Sequence, residues 1–156
     1  MTRVVDLEVH LTASSEAVWE EVQRPALLEE VAAPLVRFRW IEPEERLAHW
    51  PAGGTVRVRS YLFGILPMGE RELVFERIDD ERHEIQTRER DALIRRWDHL
   101  ITVRDGGEGG ARYRDRIEID AGLLTLPVWL FAQWFYRHRQ RRWRRVVERL
   151  APEVSR

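Results

Sequence analysis

The chain begins with a strict alternation of apolar and polar residues, which is the pattern of a half-buried β-strand. The apolar positions are Val5, Leu7, Val9 and Leu11. The stretch 12–16 then supplies hydroxyl groups that can cap a helix over residues 17–22, and Pro25 stands where a second short helix can begin. The sequence therefore predicts one strand followed at once by two short helices.

Between residues 35 and 120 the pattern is almost entirely that of β-strands separated by turns. The predicted strands cover residues 35–41, 56–62, 70–78, 83–90, 94–104 and 112–120. The links are of hairpin length, and the last one, 105–110, is rich in glycine, so we expect an antiparallel meander. Residues 64–69 predict an apolar loop, and we interpret the segment Leu62–Met68 as a cavity lid or a contact surface.

The last predicted element is a long helix over residues 123–150. Pro127 fits its first turn, where the missing N–H costs little. The first half is apolar on almost every side, which a helix tolerates only when several of its sides are covered. Helical spacing predicts an inward face made of Leu124, Val128, Phe131, Trp134 or Phe135, His138, Arg142, Val146 and Leu150.

This order of elements, β-α-α-β(n)-α, resembles the helix-grip fold of the SRPBCC superfamily, which includes START lipid-transfer domains and polyketide cyclases/dehydrases. Three features carry the resemblance: the opening strand with the phrase Thr-Ala-Ser-Ser-Glu-Ala-Val-Trp at 12–19, the segment 62–69, and the terminal amphipathic helix. The resemblance implies an α+β fold in which a curved antiparallel sheet wraps around the C-terminal helix and encloses a ligand cavity. It implies no universal catalytic residues.

Composition limits the classes of function. A chain of 156 residues with 44% hydrophobic residues fits one domain, which we place at 1–156. The absence of cysteine excludes disulfides and a thiol nucleophile, and the absence of lysine excludes Schiff-base chemistry on lysine. The formal net charge is −1, so we expect no nucleic-acid partner. The N-terminus has no run of signal-peptide length, so we expect a cytoplasmic protein.

Four polar residues share strand faces with apolar residues and are therefore predicted to project into the interior. They are Arg71, Glu89, His99 and Asp115. In the functional interpretation His99 is a general acid or base oriented by Asp115 or Glu89, and Arg71 neutralises an anionic group of the ligand. In the structural interpretation Arg71–Glu89 and His99–Asp115 are cross-strand pairs that stabilise the sheet. The sequence leaves both interpretations open.

Apolar and aromatic residues of the strands and the helix are candidates for the ligand-binding wall. They are Leu62, Phe75, Trp97, Tyr113, Phe131, Trp134 and Phe135. The simpler alternative is that these side chains fill the core between helix and sheet. The five histidines lie far apart in the sequence, and the glycines form no nucleotide fingerprint, so we expect neither a metal nor a cofactor.

The second half of the last helix is strongly basic. A solvent-exposed face is the ordinary explanation of such a run. An anionic membrane surface bound by Arg137, Arg141, Arg144 and Arg145 is the alternative.

The functional hypothesis is that the protein binds a small hydrophobic ligand, lipid-, polyketide- or aromatic-like, between the sheet and the C-terminal helix. One alternative is a cofactor-independent cyclase or dehydratase that uses the His/carboxylate pair. The other is a peripheral membrane-associated chaperone of a lipid or quinone. The sequence does not predict the oligomeric state.

Overall fold

The computed structural model describes residues 1–150. The strands are β1 (Arg3–Leu11), β2 (Val36–Glu42), β3 (Thr55–Leu62), β4 (Leu66–Asp79), β5 (Glu84–Arg90), β6 (Arg96–Gly107) and β7 (Gly110–Asp120). The helices are α1 (Ser15–Val22), α2 (Pro25–Ala32) and α3 (Thr125–Leu150), the last preceded by a 3-10 turn at Gly122–Leu124. The order β-α-α-β(n)-α predicted from the sequence is confirmed. The predicted single domain 1–156 includes residues 151–156, which lie outside the described residues.

The strands form one antiparallel sheet in the order β1-β7-β6-β5-β4-β3-β2. Strands β2 to β7 form a meander in which neighbours in sequence are neighbours in the sheet. β1 is an edge strand that pairs with β7, so the first and last strands of the chain lie side by side. Register shifts interrupt β3, β4 and β6, at Ser60/Tyr61, Phe75/Arg77 and Asp105/Gly107. Such bulges bend a strand and increase its twist, which lets the sheet curve around α3.

One face of the sheet is buried against α3, α1 and α2, and its core has two apolar clusters. The first contains Val103 and Tyr113 of the sheet with Trp143 and Val146 of α3. The second contains Tyr136, which lies about two turns before Trp143 on α3, together with Ile117 and Ile119 of β7. The residues between the clusters on α3 and β7 are polar, so a polar layer divides the core.

The apolar segment 64–69 differs from the predicted loop. β4 begins at Leu66, and a tight turn joins it to β3: the Ile65 N–H donates to Leu62 O at 3.1 Å. Phe63 and Gly64 both have positive φ, 52° and 74°, as the central residues of a type I′ hairpin turn require. Pro67 and Gly69 belong to β4, so the predicted lid is the tip of a β-hairpin.

The buried face of α3 also differs from the predicted face. The predicted face contained Trp134 or Phe135 together with Leu124; Phe135 is buried, but Trp134 and Leu124 are 44% and 49% exposed. The buried residues of α3 are Thr125, Ala132, Phe135, Tyr136, Arg139, Gln140, Trp143, Val146 and Val147. The helix is therefore rotated toward Tyr136 and Gln140, and Gln140 donates to Asp115 of the sheet.

Candidate functional site

A cavity of about 80 Å³ lies between the sheet and α3. Its apolar lining comes from all three helices, four strands and the β2–β3 link: Val22, Leu27, Leu28, Phe38, Trp50, Leu73, Phe75, Ile85, Ile101 and Phe135. Its polar lining is Arg71, Thr87, Glu89, His99, Tyr136 and Arg139. The site therefore combines an apolar wall with a few polar groups, which is the usual make-up of a small-molecule site.

Trp50 holds the β2–β3 link against the cavity. Its indole Nε1 donates to Val22 O at 3.2 Å, and its backbone N–H donates to Gln23 O at 2.9 Å, both at the end of α1. The indole also stacks on Phe75 of β4, with ring centroids 4.7 Å apart. These contacts join α1, the link and the sheet around the apolar side of the cavity.

His99 and Asp115 form a buried pair on neighbouring strands, as the period-two pattern predicts. The His99 Nε2–Asp115 Oδ1 distance is 2.8 Å, and the two residues are 4% and 0% exposed. Tyr113 OH donates to Asp115 Oδ1 at 3.0 Å, and Gln140 Nε2 of α3 donates to Oδ2 at 3.0 Å. The Asp115 carboxylate thus accepts from three side chains, which is how a buried polar group avoids the cost of desolvation.

The protonation states follow from these contacts. Burial alone would raise the pKa of Asp115, but the hydrogen bond and charge of His99 and the charge of Arg139 hold it below the usual value. Burial and the neighbouring carboxylate raise the pKa of Tyr113, so its hydroxyl stays protonated and can donate. The ionised Asp115 accepts from His99 Nε2, so this ring nitrogen carries a proton, while Nδ1 faces Tyr136.

Tyr136 of α3 completes this arrangement on the cavity side. Its hydroxyl lies 3.5 Å from His99 Nδ1, and the two rings meet edge to face at 5.1 Å. Burial and the charge of Glu89 raise the pKa of Tyr136, so its hydroxyl is a donor at neutral pH. We call the five residues His99, Tyr113, Asp115, Tyr136 and Gln140 the Asp115 network.

Arg71 and Glu89 form the second predicted pair, on β4 and β5. Arg71 Nη1 lies 2.9 Å from Glu89 Oε2, and Nη2 lies 3.4 Å from Asp91 Oδ2. The Arg71 guanidinium carbon is also 4.8 Å from the centre of the Trp97 ring. Arg71 and Glu89 both line the cavity, whereas Asp115 lies behind His99 and does not.

The predicted ligand-binding residues divide into two groups. Arg71, Phe75 and Phe135 line the cavity. Leu62, Trp97, Tyr113, Phe131 and Trp134 are not part of its lining. Leu62 precedes the hairpin turn. Trp97 and Tyr113 are buried in the core clusters. The rings of Phe131 and Trp134 contact each other edge to face on a turn of α3 outside the lining.

Sequence reasoning missed Arg139 and Gln140 as interior residues. These residues belong to a run that the sequence analysis assigned to a basic, solvent-exposed face. The spacing Phe135, Arg139, Trp143 and Val146 is a helical stripe, and it could have shown that Arg139 lies in line with apolar residues. Trp50, which carries no strong sequence signal, was also missed, whereas alternation places Thr87 on the inward face with Ile85 and Glu89.

The four arginines predicted to contact a membrane are all exposed. Arg137 donates to Gln133 on the preceding turn at 2.6 Å. Arg141, Arg144 and Arg145 follow on the same side of α3. Within residues 1–150, no helix combines the length and apolar character needed to cross a bilayer, and no three His, Asp or Glu side chains converge as a metal site.

Solved structures with the same architecture show which fold this is. Norcoclaurine synthase from Thalictrum flavum, in complex with dopamine and hydroxybenzaldehyde, matches with a TM-score of 0.65 and 14% identity over 100% of this chain and 90% of that chain. Protein CV1439 from Chromobacterium violaceum gives 0.64 and 15% over 88% and 94%. Ara h 8.0201 gives 0.60 and 9% over 90% and 96%. These similarities confirm the helix-grip fold.

Sequence comparison adds a family and no described activity. No curated protein matches the chain at a significant level. The model of a domain of unknown function, DUF8410, matches residues 9–147, a range that contains the whole cavity lining. The chain therefore belongs to the DUF8410 family.

Proposed function

We propose that the protein binds a small, largely apolar ligand in the cavity between the sheet and α3. The observation that carries this proposal is the lining itself: ten of its sixteen residues are apolar, and the polar ones gather on one side. The similar norcoclaurine synthase structure holds dopamine and hydroxybenzaldehyde, both compact aromatic compounds, which supports a ligand of that size.

The volume narrows the choice of ligand. About 80 Å³ is well below the roughly 300–1,000 Å³ of pockets that hold drug-sized molecules. A ligand with one aromatic ring needs little rearrangement of the lining, whereas a long acyl chain or a polyketide needs the helices to move. The aromatic-like ligand is therefore favoured over the lipid- and polyketide-like ones.

Calorimetric titration with indole, a neutral compound of suitable size, tests the proposal. We expect wild type to bind one indole, and Leu28→Trp to weaken binding at least about tenfold because the larger side chain fills the cavity. Leu126→Trp is the matched control, since Leu126 is 48% exposed and the same substitution there leaves the cavity open. Equal binding by Leu28→Trp and wild type would place the ligand elsewhere and refute the proposal.

Acid–base catalysis in the same cavity is a second candidate, favoured by the Asp115–His99–Tyr136 chain. Asp115 fixes the tautomer of His99, and both His99 and Tyr136 line the cavity. An imidazole held in this way can take a proton from a carbon next to a carbonyl group, and the Tyr136 hydroxyl, kept protonated by its raised pKa, can donate a hydrogen bond to the enolate oxygen that forms. This is the proton movement that a cyclase or dehydratase requires.

Deuterium exchange into 2-tetralone, followed by NMR in D₂O, tests this candidate. We expect wild type to accelerate exchange at the carbons beside the carbonyl by at least about 100-fold over buffer, the scale of general acid–base catalysis. His99→Gln should abolish the acceleration while indole still binds. Exchange at the rate of buffer alone would rule out this chemistry and leave the binding function in place.

A further inference from the structure

Arg139 is a buried cation in the lining of the cavity. It lies in the middle of α3, is 7% exposed, and lines the cavity. Among the residues that the structure describes, its Nε–H has no acceptor. Buried polar groups are nearly always satisfied, so this atom requires an explanation.

The carboxylates closest to the cavity are engaged by other groups. Glu89 and Asp91 both bind Arg71, at 2.9 and 3.4 Å. Asp115 accepts from the three donors of its network. These acids attract Arg139 through space, but each of them already has a direct partner.

Aromatic rings hold the Arg139 guanidinium in place without satisfying its donors. The guanidinium carbon is 4.8 Å from the ring centre of Tyr136 and 5.8 Å from that of Phe135. Such cation–π contacts stabilise a desolvated charge. A guanidinium held beside ring faces still has N–H groups at its edge, in the fork geometry that suits a carboxylate.

The direct pairing of the lining charges leads to the same ligand chemistry. The charged lining residues are Arg71, Arg139 and Glu89, and Arg71 has direct carboxylate partners in Glu89 and Asp91, whereas Arg139 has none among residues 1–150. A buried charge is costly unless it is paired, and an anion in the cavity would pair this one. Thr87, which stands opposite His99 in the β5–β6 ladder, contributes a buried hydroxyl that also lacks a partner among residues 1–150.

We infer that the ligand is an amphipathic organic acid whose anionic head group binds Arg139 and whose apolar body lies against Trp50 and Phe75. This inference rests on the proposed binding function and specifies the ligand's charge. Thr87 Oγ1 donates a second hydrogen bond to the polar end of the ligand. Neutral compounds of the same shape still enter the cavity but bind more weakly, because they leave the Arg139 charge unpaired.

Calorimetric titration with cinnamate and cinnamamide, which are nearly isosteric and differ in charge, tests the inference. We expect wild type to bind cinnamate at least about tenfold more tightly, the effect of a hydrogen bond to a charged group. In Arg139→Met the preference should fall to about one through weaker binding of cinnamate, with cinnamamide changed less than threefold. Arg139→Lys should keep part of the preference, and Arg141→Met, an exposed control on the same helix, should keep all of it.

The outcomes separate the inference from the proposed function. If wild type binds both compounds equally, or if Arg139→Met weakens both to the same extent, the inference is wrong and the binding function stands. If wild type binds neither these compounds nor indole, both are wrong. If Arg139→Met does not fold, as judged by circular dichroism, the wild-type preference and its reduction in Arg139→Lys decide the question.

Discussion

Asp115 is the single residue on which the polar layer depends. It is completely buried, and His99, Tyr113 and Gln140 all donate to it. These donors come from two strands and from α3, so the carboxylate links the sheet to the helix at the wall of the cavity. The same residue sets the tautomer of His99. The stability of the polar layer and the proposed acid–base chemistry of His99 therefore both depend on the Asp115 carboxylate.

The variant Asp115→Asn is expected to lower the free energy of unfolding by about 1–3 kcal/mol at pH 7, since an amide cannot accept from all three donors. Because the folded-state pKa of Asp115 is below its ordinary value of 3.8, the stabilisation is present above about pH 3.8 and is lost as the pH falls through the folded-state pKa. Urea unfolding at pH 7 and pH 3 should therefore show a large difference from wild type at the higher pH and a smaller one at the lower.

Asp6→Asn is the control for this comparison. Asp6 pairs with Arg114 on the partly exposed outer face of the sheet, where an ion pair contributes about 0–1 kcal/mol. A loss for Asp115→Asn no larger than for Asp6→Asn, or one that is equal at both pH values, would contradict the role assigned to Asp115.

At the scale of elements, α3 has two different faces along its 26 residues. The buried face carries Tyr136, Arg139 and Gln140 into the polar layer. The exposed face begins with Leu126, Leu130 and Trp134, which are 48%, 55% and 44% exposed, and continues with arginines. Apolar residues, a tryptophan at the boundary and a basic second half form the pattern of a helix that lies at an anionic membrane surface.

We expect this exposed face to bind vesicles containing phosphatidylglycerol. Arg141→Gln and Arg144→Gln should each weaken binding roughly fivefold, in line with about 1 kcal/mol per arginine near such a surface, and high salt should weaken it further. Co-sedimentation measures the binding, with Arg59→Gln, a residue paired with Glu70 on the sheet, as the control. No binding to anionic vesicles at low salt would reject this membrane contact.

The elements differ in how far the sequence predicts them. Strand faces follow directly from alternation, so the inward positions of His99, Asp115, Arg71 and Glu89 were predicted correctly. The rotation of α3 was not, because Arg139 and Gln140 read as surface residues by hydrophobicity, and the partner that buries Gln140 lies on β7. The sequence also could not predict that Trp50 lines the cavity, because its position depends on where the β2–β3 link packs in three dimensions.

At the scale of the whole molecule, the sheet, α3 and the two short helices enclose a cavity with one apolar side and one polar side. The polar layer that divides the two apolar clusters of the core is also the polar side of this cavity. The fold therefore places a cation whose Nε–H has no acceptor among residues 1–150, a buried hydroxyl and an oriented histidine beside an aromatic wall. Binding of a compact apolar ligand at this position is the central claim.

Native mass spectrometry of the purified protein with indole tests this claim most directly. The account predicts a one-to-one complex for wild type and for the exposed control Leu126→Trp, and loss of that complex in Leu28→Trp. A complex of equal abundance in all three proteins, or no complex in wild type, would contradict it.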